Sequence, residues 1–595
     1  MSTPNNRRRD PGGIGAEAAL VWTAVLIVLT GAGSIYAAMH LGHRFADTGQ
    51  TLPTDPFELV FGLIGGELPW PGEAGWWVLG AVAAAGLLVA ILVLVLLGRL
   101  RKARTRVDRA ASFMGRGKDV ESLTRKSAQA TAKRLGVEES PGVPIGRTVS
   151  GGQPLYGSWE DMHIDIWGPR TGKTTSRAVP AILAAPGPVL VTSNKRDVVD
   201  ATRNVRAETG PVWVFDPQSI ALEEPTWWWN PLSYVTDEVR AQKLAEHFAA
   251  GSRDPGAKTD AYFDPAGQDL LAGLLLAAAL DQRSITDVYT WLTRPMDHTA
   301  ADILRLNDFD LLADQVDGVV DAPDKQRAGI FGTAQQMASC LTNRQVSTWV
   351  TPRSSADSRP QFDPVAFIRN GGTLYSLSKE GRGTAGPLVT ALTVAVVEAA
   401  EEQAVRSAGG RLATPLLGVL DEAANVCRWR ELPNLYSHYG SRGIVLMTIL
   451  QSWSQGVEVW GEAGMKKLWS ASNVKVYGGG VSEAAFLEDL TRIIGDYDRL
   501  SSSTSHGKGH RTVSQQLHRE RILDVADLAA LPKGRAVVMA SGNRPTLIRT
   551  QPWMTGPHAD QVRASIAAHD PQAERTIREA ETATAAVSAN TGGAQ

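Results

Sequence analysis

Only two cysteines, Cys340 and Cys427, occur in the 595 residues, and they lie far apart. That scarcity excludes a disulfide framework and a cysteine-rich zinc site, and it reads as a mostly cytosolic chain. Charge of one sign is lacking as well. The 60 Lys and Arg against 62 Asp and Glu leave a formal net charge of −2. A chain so balanced does not draw in nucleic acid with its whole surface, so any contact with a polyanion must come from a local basic lining such as a pore. An apolar content of 43% with 21% charged residues excludes disorder over the whole length. The length itself exceeds one ordinary domain and predicts two or three folded units.

Long apolar runs are present, and the loop between them lacks Lys and Arg. Residues 18–39 and 76–97 are each apolar enough and long enough to cross a bilayer as a helix. Trp76 and Trp77 stand where an interfacial aromatic belt would sit. Arg7, Arg8 and Arg9 precede the first run; Arg99, Arg101, Lys102, Arg104 and Arg106 follow the second. Residues 46–75 between them carry Asp47, Asp55, Glu58, Glu67 and Glu73 but no basic residue, and Arg44 is outnumbered. The positive-inside rule then predicts a multi-pass protein with both termini in the cytoplasm and a short outer loop. A secretory signal peptide is the alternative for the first run. Its length argues against that, and the second run anchors the chain in either case.

Residues 1–104 therefore read as a membrane anchor, and the polar stretch 105–149 as a stalk. Short β-rich runs alternating with helical patterns follow, the mark of a parallel sheet with crossover helices. The expected strands are 163–167, 189–193, 212–215, 372–376, 416–420, 444–450, 474–477 and 536–540. Strand patterns vanish between about 235 and 363. The apolar run 268–280 there is too short to span a membrane and predicts a buried helix. The expected organisation is a nucleotide-binding domain from 150–235 and 364–555, an all-helical insertion at 236–363, and a frayed helix then disordered tail over 556–595. The tail has hardly any large apolar residues.

The run Ile164-Asp165-Ile166-Trp167-Gly168-Pro169-Arg170-Thr171-Gly172-Lys173-Thr174-Thr175 passes from a strand through a turn into a helix. A loop in that setting offers backbone N–H groups and a helix N-terminus to phosphate oxygens. Lys173 would reach the β/γ oxygens of ATP, and the Thr174 hydroxyl would ligate Mg²⁺. The usual pattern opens with a glycine where Trp167 stands here; the glycine is Gly168. The plain alternative is a strand–turn–helix with a solvated Lys173. An acidic pair ends the apolar strand 416–420: Asp421 would hold Mg²⁺ through water while Glu422 polarises the attacking water. Asp421 as a helix N-cap is the competing reading. Gln451, ending the strand 444–450, stands where a polar residue could sense the γ-phosphate.

These residues resemble a known family. The run 420–425, then Leu432-Pro433-Asn434-Leu435, Ser441-Arg442-Gly443-Ile444 and 450–455, is similar in order and spacing to the type IV secretion coupling proteins of the TraG/TraD kind. Phe215-Asp216-Pro217 with Asn230-Pro231-Leu232, and Leu531-Pro532-Lys533-Gly534 with Gly542-Asn543-Arg544-Pro545, resemble further elements of that family. The resemblance implies a RecA-like P-loop motor with an all-helical insertion, preceded by two transmembrane helices. It implies a homo-hexamer that hydrolyses ATP, receives relaxase-bound single-stranded DNA and feeds it to type IV secretion channel proteins. Cargo would meet the helical insertion. Arg442 is a candidate arginine finger acting across subunits; the family often carries the arginine where Gly440 stands here, and a surface Arg capping the preceding helix is the alternative. A motor exporting protein and a non-hydrolysing recruitment platform also remain open. A septal DNA translocase fits less well, since the 556–595 stretch lacks the apolar content of a DNA-reading domain.

Overall fold

The computed structural model describes residues 16–101, 105–252, 260–381, 384–507 and 510–591. Two compact units divide the chain. One holds residues 1–105, 496–521 and 588–595; the other holds 106–495 and 522–587.

In the first unit the helices Ala16–Phe45 and Gly72–Arg101 each run 30 residues. At about 1.5 Å per residue that exceeds the hydrocarbon thickness of a bilayer. Both expected spans fall inside these helices; of their basic flanks, Arg7, Arg8, Arg9, Lys102 and Arg104 lie outside the described residues. A short helix, Pro56–Ile64, lies between them, capped by Asp55 through the Phe57 N–H at 2.8 Å. Glycine permits the close approach of the two long helices near this connection: a Cβ on Gly42 would stand 2.7 Å from Pro71 and 3.0 Å from the Gly75 Cα. The His43 ring bridges Thr48 Oγ1 at 2.6 Å and the Pro69 carbonyl at 3.0 Å, which fixes the turn region.

In chain order the strands are β1 (Val143–Thr148), β2 (Pro154–Gly157), β3 (His163–Ile166), β4 (Val189–Ser193), β5 (Val212–Phe215), β6 (Thr373–Leu377), β7 (Leu416–Leu420), β8 (Ile444–Leu450), β9 (Val474–Tyr477), β10 (Asp496–Gly507), β11 (His510–Arg521), β12 (Arg535–Ala540) and β13 (Thr546–Arg549). The strands β10 and β11 pair only with each other, in an antiparallel ribbon of 12 residues a side. The remaining strands form one sheet in the order β2-β1-β13-β12-β9-β3-β8-β7-β4-β6-β5. From β9 to β5 every pairing is parallel. From β9 back to β2 every pairing is antiparallel. Parallel strands are covered on both faces, which is why β3, β4, β6, β7 and β8 are buried throughout, and β7 and β8 read as near-continuous apolar runs.

Between β5 and β6 the described residues hold helices and turns but no strand. Helix Phe263–Leu280 is apolar and long enough to cross a membrane by composition alone, yet Leu270 to Ala278 are buried against neighbouring helices of the same unit. The neck of this segment is closed by the bridge Trp228↔Gln361, with the Phe362 N–H on the Trp228 carbonyl at 2.8 Å. Trp213, Trp227, Trp349 and Phe362 pack edge-on and tilted around it. The motifs at 215–217 and 230–232 are turn chemistry at this neck. Asp216 accepts from the Ile220 and Ala221 N–H groups at 2.7 and 2.8 Å, and Asn230 caps the turn Pro231–Tyr234 at 3.1 Å.

The structure corrects two expectations. Residues 106–149 are not a free stalk: β1 joins the sheet beside β13, and Arg535 and Asp108 form a buried ion pair at 2.6 Å. Val107, Ala110, Met114, Val120 and Leu123 supply the buried positions, too sparsely spaced among charges to show as a pattern. Residues 556–595 are not a disordered tail as far as Thr591, beyond which the residues are not described. Helices Ala559–His569 and Ala573–Thr591 occupy the stretch, and Val562, Ser565 and Ile566 are buried, Ser565 donating to the Asp200 carbonyl at 2.6 Å. A few small side chains sufficed to dock the first of them.

Candidate functional site

The site builds from the carboxyl ends of three adjacent parallel strands. β8 lies between β3 and β7, so the turn after β3, the acidic pair after β7 and the residue after β8 face one crevice. The chain leaves β3 for β4, three places along the sheet, and such a switch of order opens a crevice at the carboxyl ends.

After Ile166 the backbone remains tied to both neighbouring strands. The Trp167 N–H donates to the Leu450 carbonyl at 2.9 Å, and the Gly168 N–H to the Gly479 carbonyl at 2.9 Å. The missing first glycine has a structural account. Trp167 is fully buried and joins the apolar cluster of Leu123, Ile145, Val476, Val538 and Ile548 on the antiparallel side of the sheet. Its ring lies against Gly478, where a Cβ would overlap the indole, and a Cβ on Gly168 would overlap Gly480. The glycines that make room for the loop are therefore supplied partly by 478–480, after β9. Arg170 and Gly172 take positive φ values of 59° and 93°. Thr171 Oγ1 closes the turn on the Gly168 carbonyl at 2.5 Å. The helix then opens with one π-helical turn, Thr174–Ala178, before Val179–Ala184 continues it; such turns occur often at functional sites.

Lys173 is not solvated. Its Nζ lies 3.1 Å from Asp421 Oδ1 and pairs with Glu422 Oε1, with 12% of its side chain exposed. Gln451 donates to Glu422 at 2.7 and 2.8 Å on its two oxygens. Asp421 is not a helix cap: Glu422 takes the cap position of helix Ala423–Val426 in the left-handed region, with no side-chain capping bond. Burial pushes the Asp421 carboxyl up to about 6; Lys173 opposes that shift, and Glu422 adds to it. Burial works against the Lys173 charge, but Asp421 and Glu422 outweigh it and raise its pKa. Asp421 Oδ1 is buried and, although the ammonium is near, accepts no well-directed hydrogen bond. A buried carboxylate oxygen with spare lone pairs is a fit donor for a hard divalent cation, as the Thr174 hydroxyl also is by its chemistry.

Arg442 is not part of this assembly. It precedes β8 at the opposite end of the strand, on the order of 30 Å from Gln451 at about 3.3 Å per residue. There it pairs with Glu401 and lines a cleft of about 590 Å³ with Arg240, Lys243, Glu398 and Glu402.

Sequence reading missed a buried support behind the loop. Arg177 and Asp165, both fully buried, form a two-bond pair at 2.6 and 3.1 Å, and Arg177 also donates to the Pro144 carbonyl at 2.5 Å. This pins the first turns of the helix that follows the 167–173 loop to β3 and β1. The His163 ring, 3.4 Å from Arg177, has its pKa driven well below the usual value, by burial first and by the guanidinium second. Nothing local links positions 165 and 177 in sequence. The Gly478-Gly479-Gly480 run after an expected strand was the one visible signal, as a loop crowded by another backbone.

Residues 415–533 match the family described as the TraM recognition site of TraD and TraG. Among solved structures, the bacterial conjugative coupling protein TrwBdeltaN70 in an unbound form is 18% identical, covering 71% of this chain and 91% of that one, with a TM-score of 0.49. The plasmid coupling protein TrwB in complex with a non-hydrolysable ATP analogue is 17% identical, covering 71% and 92%, with a TM-score of 0.49. VirB4 of Thermoanaerobacter pseudethanolicus is 13% identical, covering 71% and 98%, with a TM-score of 0.40. No curated protein matches the chain.

Proposed function

We propose that this chain, TraG/TraD-like over residues 415–533, is a membrane-anchored ATPase that drives DNA into a type IV secretion channel. The observation that carries the reading is the meeting of Lys173, Asp421, Glu422 and Gln451 at the ends of three neighbouring strands. The arrangement fits a RecA-like P-loop motor. With nucleotide bound, Lys173 exchanges its carboxylate partners for the β- and γ-phosphate oxygens, while the N–H groups of 168–175 face the phosphates. Asp421 and Thr174 would hold Mg²⁺, which would supply positive charge against the phosphates. Freed from Lys173, Glu422 accepts a proton from the attacking water, and Gln451 orients the carboxylate and the water.

The two 30-residue helices support anchoring by two spans, and the Lys and Arg flanking them against the acidic 46–75 loop support cytoplasmic termini. A reporter fused at Gly65 is then extracytoplasmic and one at Ser150 cytoplasmic; both on one side contradicts it. The motor works as a homo-hexamer in which Arg442, a third exposed, acts on a neighbour's ATP. DNA arrives as a relaxase-bound single strand, the helical segment 236–363 meets cargo, and residues 415–533 dock a TraM-type partner. The net charge of −2 favours a second reading, protein as cargo on the same motor.

The nucleotide reading is tested with two variants. Lys173→Ala abolishes turnover by removing the charge on the β/γ oxygens. Glu422→Gln binds ATP and does not hydrolyse it. Hydrolysis by Glu422→Gln at the wild-type rate sinks the assignment.

A further inference from the structure

Three loops at the carboxyl end of the sheet meet on a side chain outside the nucleotide-contacting set. Glu380, in the loop after β6, accepts from Asn194 Nδ2 at 2.6 Å and from Asn425 Nδ2 at 2.9 Å. Asn194 directly follows β4, and Asn425 lies in the short helix after β7. The Asn425 amide also donates to Glu422 Oε2 at 3.3 Å. One NH₂ group thus bridges two carboxylates, one proton to each, and Gln451 holds the other flank of Glu422.

A general base works only when a lone pair points at the water it deprotonates, so whatever orients the carboxylate sets the rate. Asn425 can orient Glu422 only if its own amide plane is fixed. Its second proton is the handle for that, and Glu380 is the group that takes it. Glu380 is itself exposed and would be free to rotate, but the Asn194 amide restrains it from the far side. Glu380 and Asn425 both line a cavity of about 300 Å³, with Thr384, Thr390 and Arg428 among its other borders.

We propose that Glu380 is a positioning residue for ATP hydrolysis, acting through Asn425 to fix the Glu422 carboxylate. The proposal rests on Glu422 being the base. Glu380 touches no phosphate-loop residue among its hydrogen bonds, so its loss lowers kcat and leaves KM in place.

The test is steady-state ATP hydrolysis by the full chain in detergent. Glu380→Ala is expected to lose about tenfold in kcat, the worth of one well-placed hydrogen bond, at unchanged KM. Glu380→Gln, which keeps an acceptor oxygen in reach, is expected to recover most of that loss, whereas Glu380→Asp, one methylene short, is not. Asn425→Ala gives a loss of at least the same size, and adding Glu380→Ala to it costs nothing more, because the two act in series. A folding defect lowers the active fraction, and with it apparent kcat at unchanged KM, so the urea midpoint of each variant is read alongside. A loss of kcat that tracks a lowered midpoint overturns the proposal, and a loss at the wild-type midpoint supports it. Wild-type kcat in Glu380→Ala, equal damage in Glu380→Gln, or losses that multiply with Asn425→Ala each overturn the proposal. Glu422→Gln, run alongside, separates the two readings. Turnover in that variant sinks the base assignment, whereas its silence beside an unimpaired Glu380→Ala sinks the positioning role alone.

Discussion

Placing at position 167 the glycine that the proposed phosphate loop lacks harms this protein. Trp167 is fully buried against the glycines after β9 and among the apolar residues of the antiparallel side. Trp167→Gly empties that volume, and large-to-small changes of this kind cost about 3–5 kcal/mol. Gly478→Ala in the wild-type background drives a methyl group into the indole, an overpacking worth about 1–3 kcal/mol. In the Trp167→Gly background the indole is gone, so the same methyl enters free space and its cost falls close to zero. The cycle predicts a coupling of about 1–3 kcal/mol between positions 167 and 478. Urea denaturation of the full chain in detergent measures each corner, and titration with a fluorescent ATP analogue reports the loop. Equal cost for Gly478→Ala with and without the ring refutes the packing argument, as does a wild-type midpoint for Trp167→Gly.

Three further outcomes follow from the same geometry. Asp421 is raised to about 6, so the folded chain holds a proton that the unfolded chain releases near pH 4. Its contribution to stability is therefore present below about pH 4 and lost as pH rises through about 6; Asp421→Asn flattens that fall in unfolding midpoints measured from pH 4 to 7. Asp165→Asn strands the buried Arg177 charge and costs about 3–5 kcal/mol, while replacing both residues by Leu and Met brings the denaturation midpoint close to wild type. Chains carrying Arg442→Ala, mixed with chains carrying Lys173→Ala, recover turnover above the sum of the two alone, because some junctions pair an intact loop with an intact guanidinium; no gain on verified mixing removes Arg442 from that role.

The parallel core was legible because its strands are short runs rich in Val, Leu and Ile between turn residues. Strands 189–193, 212–215, 416–420, 444–450 and 474–477 have the same bounds in the structure. The edges were not. β1 and β2 mix Pro and Gly with a few apolar residues, and the ribbon β10–β11 is too polar to alternate. At the site, Gly172-Lys173-Thr174 and Asp421-Glu422 were visible because backbone geometry demands those residues at fixed offsets from strand ends. The partners Asn194, Glu380, Asp165 and Arg177 were not, since each acts through a contact that only the sheet order creates. Arg442 shows the limit of proximity in sequence: nine positions from Gln451, it stands at the other end of the same strand.

The central claim is an ATPase that drives DNA, and one measurement addresses it directly: the rate of ATP hydrolysis by the full chain in bilayer discs, with and without single-stranded DNA. The account predicts turnover that rises severalfold with DNA and disappears in Lys173→Ala and Glu422→Gln under both conditions. Turnover indifferent to DNA, or no turnover by a chain that binds ATP, contradicts it.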